Sequence, residues 1–237
     1  MRLNPETGRL KDPTLVDDPV PDIRALKENR QAVPVDDLKL SKADKQRMKD
    51  LLAKRDKARA DRDKALGKGD EEAAAGHARD VNEASRQLGE EHAKAYMKEK
   101  YPDFEQLYPS DPTKPSRAGD FDQVWVKYGK NKRGKKVVVQ VIVIEAKGGA
   151  GTLGTRKAGG LVVQQGTGAY FESIIASMEK GTPEMNRIAA MLKALKPSEI
   201  EYKLVIAPIE MTRDAKPRSQ VLAVEVADFN LAKTLKP

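Results

Sequence analysis

The chain contains no cysteine. Disulfides and thiolate metal sites are therefore excluded, and any bound ion must be held by oxygen or nitrogen. Histidine is almost as scarce. His77 and His92 are the only two, too few for a histidine-built metal nuclease, and both are expected on solvated helix faces. No apolar run approaches the roughly 20 residues that a membrane helix needs, so no membrane partner is expected. The first residues carry proline and acids where an export signal carries an apolar stretch, so no conventional signal is expected and the chain should stay in the cytoplasm of the cell that makes it. Aromatics are few, and all eleven lie at Tyr96 or later. The first 95 residues thus lack the large side chains that usually anchor a core. No internal repeat is visible. A Walker loop is also missing, because Gly154 is followed by Thr155 and Arg156.

What remains is a charged chain of 237 residues, long enough for one sizeable core and a small accessory module. Lysine and arginine number 44 against 36 acids, a formal charge of +8. The excess is unevenly placed. Residues 1–85 carry 19 basic and 18 acidic side chains, and residues 86–237 carry 25 and 18. Basic charge concentrated in the C-terminal part suits an acidic partner such as nucleic acid, although a solvated lysine-rich surface has the same composition.

Residues 1–40 hold Pro5, Pro13, Pro19, Pro21 and Pro34 among scattered acids and read as an extended arm or linker. Ser41 and Asp44 form a capping box that opens a charged helix to about Leu66. Gly67 and Gly69 break it, and Asp70 caps a second helix towards Lys100, with Gly76 and Gly89 as places where it could bend. The two helices are expected to pair as an antiparallel hairpin. From Gly119 the pattern turns to strand: 122–127 alternates, 128–136 is a basic turn, and 137–144 is almost continuously β-branched, as in a strand buried on both faces. A glycine-rich loop over 148–160, helices over 161–179 and 183–195, and strands over 202–207 and 220–226 complete the chain. The expected fold class is α/β, a mixed sheet flanked by helices. The expected division is an arm over 1–40, a charged helical segment over 41–84 and the main domain over 85–237.

One constellation carries chemistry. If Asp122 faces Glu145 across the hairpin, the centre of symmetry falls at residue 133.5, in the middle of the turn. Residues paired in such a ladder lie on the order of 5 Å apart with side chains on one face. Strand periodicity puts Lys147 on the side of Glu145, two positions along. Two carboxylates and an ammonium then converge at one end of an apolar hairpin face. Opposed like charges destabilise a sheet unless something neutralises them, and a divalent cation does so better than one lysine. The alternative is a salt-bridged cluster at a strand end. Asp120, two positions before Asp122 on the same face, competes for its place.

The run Gly119-Asp120-Phe121-Asp122-Gln123-Val124, the basic turn, and Val141-Ile142-Val143-Ile144-Glu145-Ala146-Lys147 resemble the Asp…Glu-x-Lys core of PD-(D/E)XK nucleases, whose fold is restriction-endonuclease-like. The segment Gln164-Gln165-Gly166-Thr167-Gly168-Ala169-Tyr170 is similar to the glutamine-bearing helix of nuclease domains in bacterial polymorphic toxins and interbacterial effectors. The resemblance spans about Ser85 to Val226. It departs in the proline of the family's name, which Phe121 replaces, and in the spacing from glutamine to tyrosine. It implies a metal-dependent deoxyribonuclease. Asp122 and Glu145 would be oxygen ligands of Mg²⁺ or Mn²⁺, and the ion would lower the pKa of a bound water. Lys147 would orient that water or neutralise developing charge. Gln165, with Gln164 competing, would position water or substrate, and Glu90 would match the further carboxylate that some members contribute. Arg156 and Lys157 in the loop, and Lys135 and Lys136 in the turn, would touch the DNA backbone. The resemblance further implies an effector delivered by a specialised secretion system into a rival cell's cytoplasm, and an acidic immunity protein that blocks the site.

Gly149-Ala150-Gly151-Thr152-Leu153-Gly154 after a hydrophobic strand meets the letter of a dinucleotide fingerprint. No second strand with a ribose-binding acid follows at about 20 residues, and 156–160 interrupts the expected helix. Trp125 and Tyr170 read as core. A binding module without catalysis, using the basic hairpin as its surface, is the competing function.

Overall fold

The computed structural model describes residues 30–229 apart from 112–113, 118, 150–152 and 214–216. Residues 1–29 of the expected arm, and 150–152 of the glycine-rich loop, lie outside the described residues. Ser41 accepts from the Asp44 backbone and the Asp44 carboxylate accepts from the Ser41 backbone, so the capping box opens α1 (Lys42–Leu66). Asp70 caps α2 (Glu71–Lys100) through the Ala73 N–H at 3.0 Å. The two helices pack along each other as the expected hairpin. The division expected after residue 84 falls inside α2, which runs unbroken to Lys100 because its apolar positions, Val81, Ala84, Leu88 and Met97, form one continuous buried face.

The described residues form ten strands, numbered in chain order: β1 (Gln31–Pro34), β2 (Glu105–Tyr108), β3 (Gln123–Lys130), β4 (Lys136–Gly148), β5 (Thr155–Ala158), β6 (Leu161–Gln164), β7 (Ile200–Ala207), β8 (Glu210–Met211), β9 (Ser219–Gln220) and β10 (Ala223–Phe229). Six form the central sheet, in the order β1-β10-β7-β4-β3-β2. The β4–β7 pair is parallel and the others antiparallel, so the sheet is mixed. The β-branched strand β4 occupies its middle, as its composition requires.

Helices cover both faces. On one, α3 (Gly168–Met178) and α4 (Pro183–Ala194) pack Phe171, Ile174, Met178, Ile188 and Leu192 against strand residues such as Val124, Val143 and Leu204. On the other, α1 and α2 pack Met48, Leu88, Ala93 and Met97 against Trp125, Ile142, Ile144 and Val205. The alternation along β4 thus divides its side chains between two cores. Trp125 is core, as expected, with its indole N–H on Gln123 Oε1 at 2.9 Å.

Three expectations need correction. The helix expected from 161 begins at Gly168, because Leu161 to Gln164 instead pairs with β5 through a turn at Gly159 and Gly160, both at positive φ. Such a two-residue Gly-Gly turn matches the twist of a hairpin, and Leu-Val-Val suits a strand. Gly89 does not bend α2; it lets the helix touch β4. A β-carbon on Gly89 would stand 2.6 Å from the Lys147 carbonyl carbon, and one on Gly148 would stand 1.9 Å from the Ser85 carbonyl oxygen. Finally, His92 is buried rather than solvated. It sits on the inner face of α2 with Nδ1 2.7 Å from the Leu88 carbonyl, and burial lowers its pKa.

Candidate active site

The hairpin register sets the site. The turn closes through the Asn131 N–H on the Lys135 carbonyl, and the lower ladder pairs Lys130 with Lys136. A bulge between Lys127 and Tyr128 shifts the ladder by one residue, so that Gln123 pairs with Ile144 above it. Continued one step, that register sets Asp122 opposite Glu145. One side chain then locks the strand end: Asp122 Oδ2 accepts the Ala146 N–H at 2.7 Å.

Glu145 is 2% exposed and held at both oxygens. Tyr202 donates its hydroxyl to Oε1 at 2.7 Å, and Gln165 donates Nε2 to Oε2. The Gly154 N–H donates to Gln165 Oε1 at 3.1 Å, which fixes the amide's direction. Gln165 lies between β6 and α3, rather than within a helix, and is equally buried. Its neighbour Gln164 offers only its backbone carbonyl to Thr167 there. The structure therefore sets Gln165, not Gln164, beside the carboxylates.

Glu90 reaches the same place from the opposite side of the sheet. The close crossing at Gly89 brings α2 to the end of β4, where Arg86 Nη1 donates to Glu90 Oε1 at 2.5 Å. The Ser116 hydroxyl stands 2.9 Å from Glu90 Oε1 and 3.1 Å from Asp122 Oδ1, so its one proton serves either carboxylate. The Ser116 N–H donates to Glu90 Oε2 at 3.2 Å. Asp120 is drawn elsewhere, accepting the Tyr108 hydroxyl at 2.7 Å. Asp122, and not Asp120, therefore stands at the end of β4 beside Glu145.

Three acids share a desolvated space. Burial, then the Asp122 charge, pushes Glu145 up to about 8 and Glu90 up to about 7. Burial also raises Asp122, against the pull of the Lys147 ammonium. Lys147 lowers both Asp122 and Glu145, yet among the described residues it makes no ion pair within 4.0 Å. It lines, with Asp122, an open cleft of about 340 Å³, which the buried Glu145 does not line.

Among the described residues no three His, Asp or Glu side chains are grouped so as to hold a metal ion. A hard cation that keeps several waters needs only one or two carboxylates. Asp122 and Glu145 have that chemistry: oxygen donors whose charges repel, with unused lone pairs beyond their present hydrogen bonds. The donor set fits Mg²⁺ or Mn²⁺.

The expected phosphate contacts separate. Arg156 belongs to β5, donates to the Gly119 carbonyl at 2.9 Å and lies 5.9 Å from the centre of the Tyr170 ring, so it borders the loop that carries Asp122. Tyr170 is half-buried. Lys157, next along β5, is exposed. Lys135 and Lys136 lie at the other end of the hairpin. The eight residues of β3 put them roughly 25 Å from Asp122, and Lys136 is occupied with Tyr128 and Glu105. These two are not brought to the site.

Sequence reasoning missed Tyr202, Ser116 and Arg86. A tyrosine beside the aliphatic run of strand β7 is a usable signal, since a buried hydroxyl needs a partner. Ser116 and Arg86 come from a loop and a charged helical turn with no pattern of their own. Compared with known proteins, the chain matches no family model, no curated protein and no solved structure.

Proposed function

We propose that the protein is a metal-dependent nuclease on a restriction-endonuclease-like sheet, hydrolysing phosphodiester bonds of DNA at Asp122, Glu145 and Lys147. The observation that carries this reading is the meeting of carboxylates from the loop before β3, from β4 and from α2 beside Lys147, which lines the adjoining cleft and makes no ion pair among the described residues. Asp122 and Glu145 would hold a Mg²⁺ or Mn²⁺ ion, which would lower the pKa of a water and offset charge on the phosphate.

The chain's own residues do the rest. Lys147 sets a positive charge where the scissile phosphate gains negative charge. Tyr202 and Gln165 hold the Glu145 carboxylate in one orientation and are positioning residues. Ser116 couples Glu90 to Asp122, so a proton held between them reports on the charge of both. Glu90, paired to Arg86, acts through Asp122 in this reading. Delivery into a rival cell and an acidic immunity protein extend the proposal by resemblance, with the basic C-terminal part as the surface such a partner would meet.

The burial of Glu145, with both oxygens hydrogen-bonded, favours a second reading: a DNA-binding module without catalysis. Calorimetric titration with Mn²⁺ separates the two. The nuclease reading expects binding that Asp122→Asn weakens at least about tenfold, equivalent to roughly 1.4 kcal/mol. Equal heats from both proteins would leave only the binding module.

A further inference from the structure

The cleft beside Asp122 has a second wall, and it comes from the helical hairpin. Arg55 of α1 reaches across α2, donating Nε to Ser85 Oγ at 3.0 Å and Nη1 to Ser219 Oγ at 2.8 Å. Ser85 is the residue whose carbonyl Gly148 abuts, so the guanidinium is held one packing layer from the end of β4. Its Nη2 has no hydrogen-bond partner among the described residues, and the side chain lines the same cleft as Asn82, Arg86, Asp122, Lys147 and Gly148. The other charges are largely accounted for. Arg86 is neutralised by Glu83 and Glu90 at 2.7 and 2.5 Å. Asp56 stands 3.9 Å from Arg55, but its oxygens are engaged by Ser219. Arg55 and Lys147 thus line one cleft, the first pinned by two hydroxyls and the second without an ion pair among the described residues.

We propose that Arg55, in the cleft that Lys147 also lines, forms a binding subsite for a nucleic-acid phosphate next to the one cleaved. A guanidinium with two donors fixed and others free is pre-organised for phosphate oxygens, because little rotamer freedom is lost when the ligand arrives. Gly148 has no side chain to narrow the approach, and Asn82 adds an exposed amide at the rim. The charged hairpin is then part of the substrate site rather than an appendage. The inference rests on the nuclease reading for the identity of the ligand, but the subsite binds without chemistry.

The test is therefore equilibrium binding of a short fluorescent DNA duplex in EDTA, with a 5′-phosphate or a 5′-hydroxyl. Arg55→Met should weaken binding about tenfold and flatten its salt dependence by about one unit of slope. Asn82→Glu, at an exposed position, puts a negative charge on the rim and should weaken binding comparably even where Arg55→Met fails to fold. Lys49→Met, on the outer face of α1, removes the same charge elsewhere and should change little. Loss confined to the phosphorylated duplex identifies a terminal phosphate; equal loss with both identifies an internal phosphodiester. Either supports the subsite. Binding unchanged in both Arg55→Met and Asn82→Glu, or a wild type that binds neither duplex, overturns it. Wild-type binding that Arg55→Met abolishes, with no cleavage on adding Mg²⁺, removes the nuclease reading and leaves the subsite standing.

Discussion

Gly89 rests on the backbone of Lys147, with no room between them for even a methyl group. This contact sets the depth at which α2 crosses β4, and so whether Glu90 reaches Ser116 and Asp122.

A pair of glycine substitutions tests that role. Alanine at an open helical position stabilises by about 0.5–1 kcal/mol relative to glycine. Gly76→Ala meets only the end of the Arg79 side chain, 3.9 Å away, and should show that gain in urea unfolding. Gly89→Ala should reverse the sign and cost about 1–3 kcal/mol, because the added carbon meets backbone that cannot move aside. Equal effects at the two positions would mean that the crossing is loose.

Tyr202 is buried and gives its hydroxyl to Glu145. Tyr202→Phe leaves that oxygen without its donor at nearly unchanged volume. A loss of about 1–3 kcal/mol is expected, read by chemical denaturation without metal. A neutral result would show that Glu145 finds water instead.

The charge on Glu145 should be visible in the pH dependence of folding. Its carboxyl ordinarily titrates near 4.5 and is pushed up to about 8 in the folded chain, so the native state binds the proton more tightly than the unfolded one. The contribution of Glu145 therefore falls as pH rises between those values. In EDTA, Glu145→Gln should become progressively more stable than wild type across that window, and added Mg²⁺ should narrow the gap by stabilising wild type alone. A gap that does not change with pH would contradict the burial of this charge.

Much of this was legible beforehand, and the reasons differ from part to part. The pairing of Asp122 with Glu145 was readable because the basic turn and the β-branched run fix a register, even though the turn centres half a residue away and a bulge at Lys127 restores the alignment. The caps at Ser41 and Asp70 were readable because their chemistry is local. Leu161–Gln164 is ambiguous in the sequence because its apolar run also fits the start of a helix, and only the pairing across the Gly159-Gly160 turn decides for a strand. His92 is hidden for a different reason: in a charged helix a histidine looks solvated, and only packing against the sheet shows which face turns inward. Ser116 was out of reach, since its place depends on where a loop lands between two distant elements.

The basic turn of the hairpin offers a negative control on function. Lys135→Ala with Lys136→Ala removes two charges roughly 25 Å from Asp122. Cleavage of a short duplex should change less than about threefold, a difference below 1 kcal/mol in transition-state energy. A loss comparable to that from Lys147→Ala would place substrate along the whole hairpin.

The most direct test is supercoiled plasmid incubated with Mg²⁺ and, separately, Mn²⁺, with wild-type protein and Glu145→Gln purified side by side. The account predicts that wild type nicks, linearises or degrades the plasmid only when the ion is present, and that Glu145→Gln leaves it supercoiled. Plasmid left intact by wild type with both ions, or cut equally by the two proteins, would contradict it.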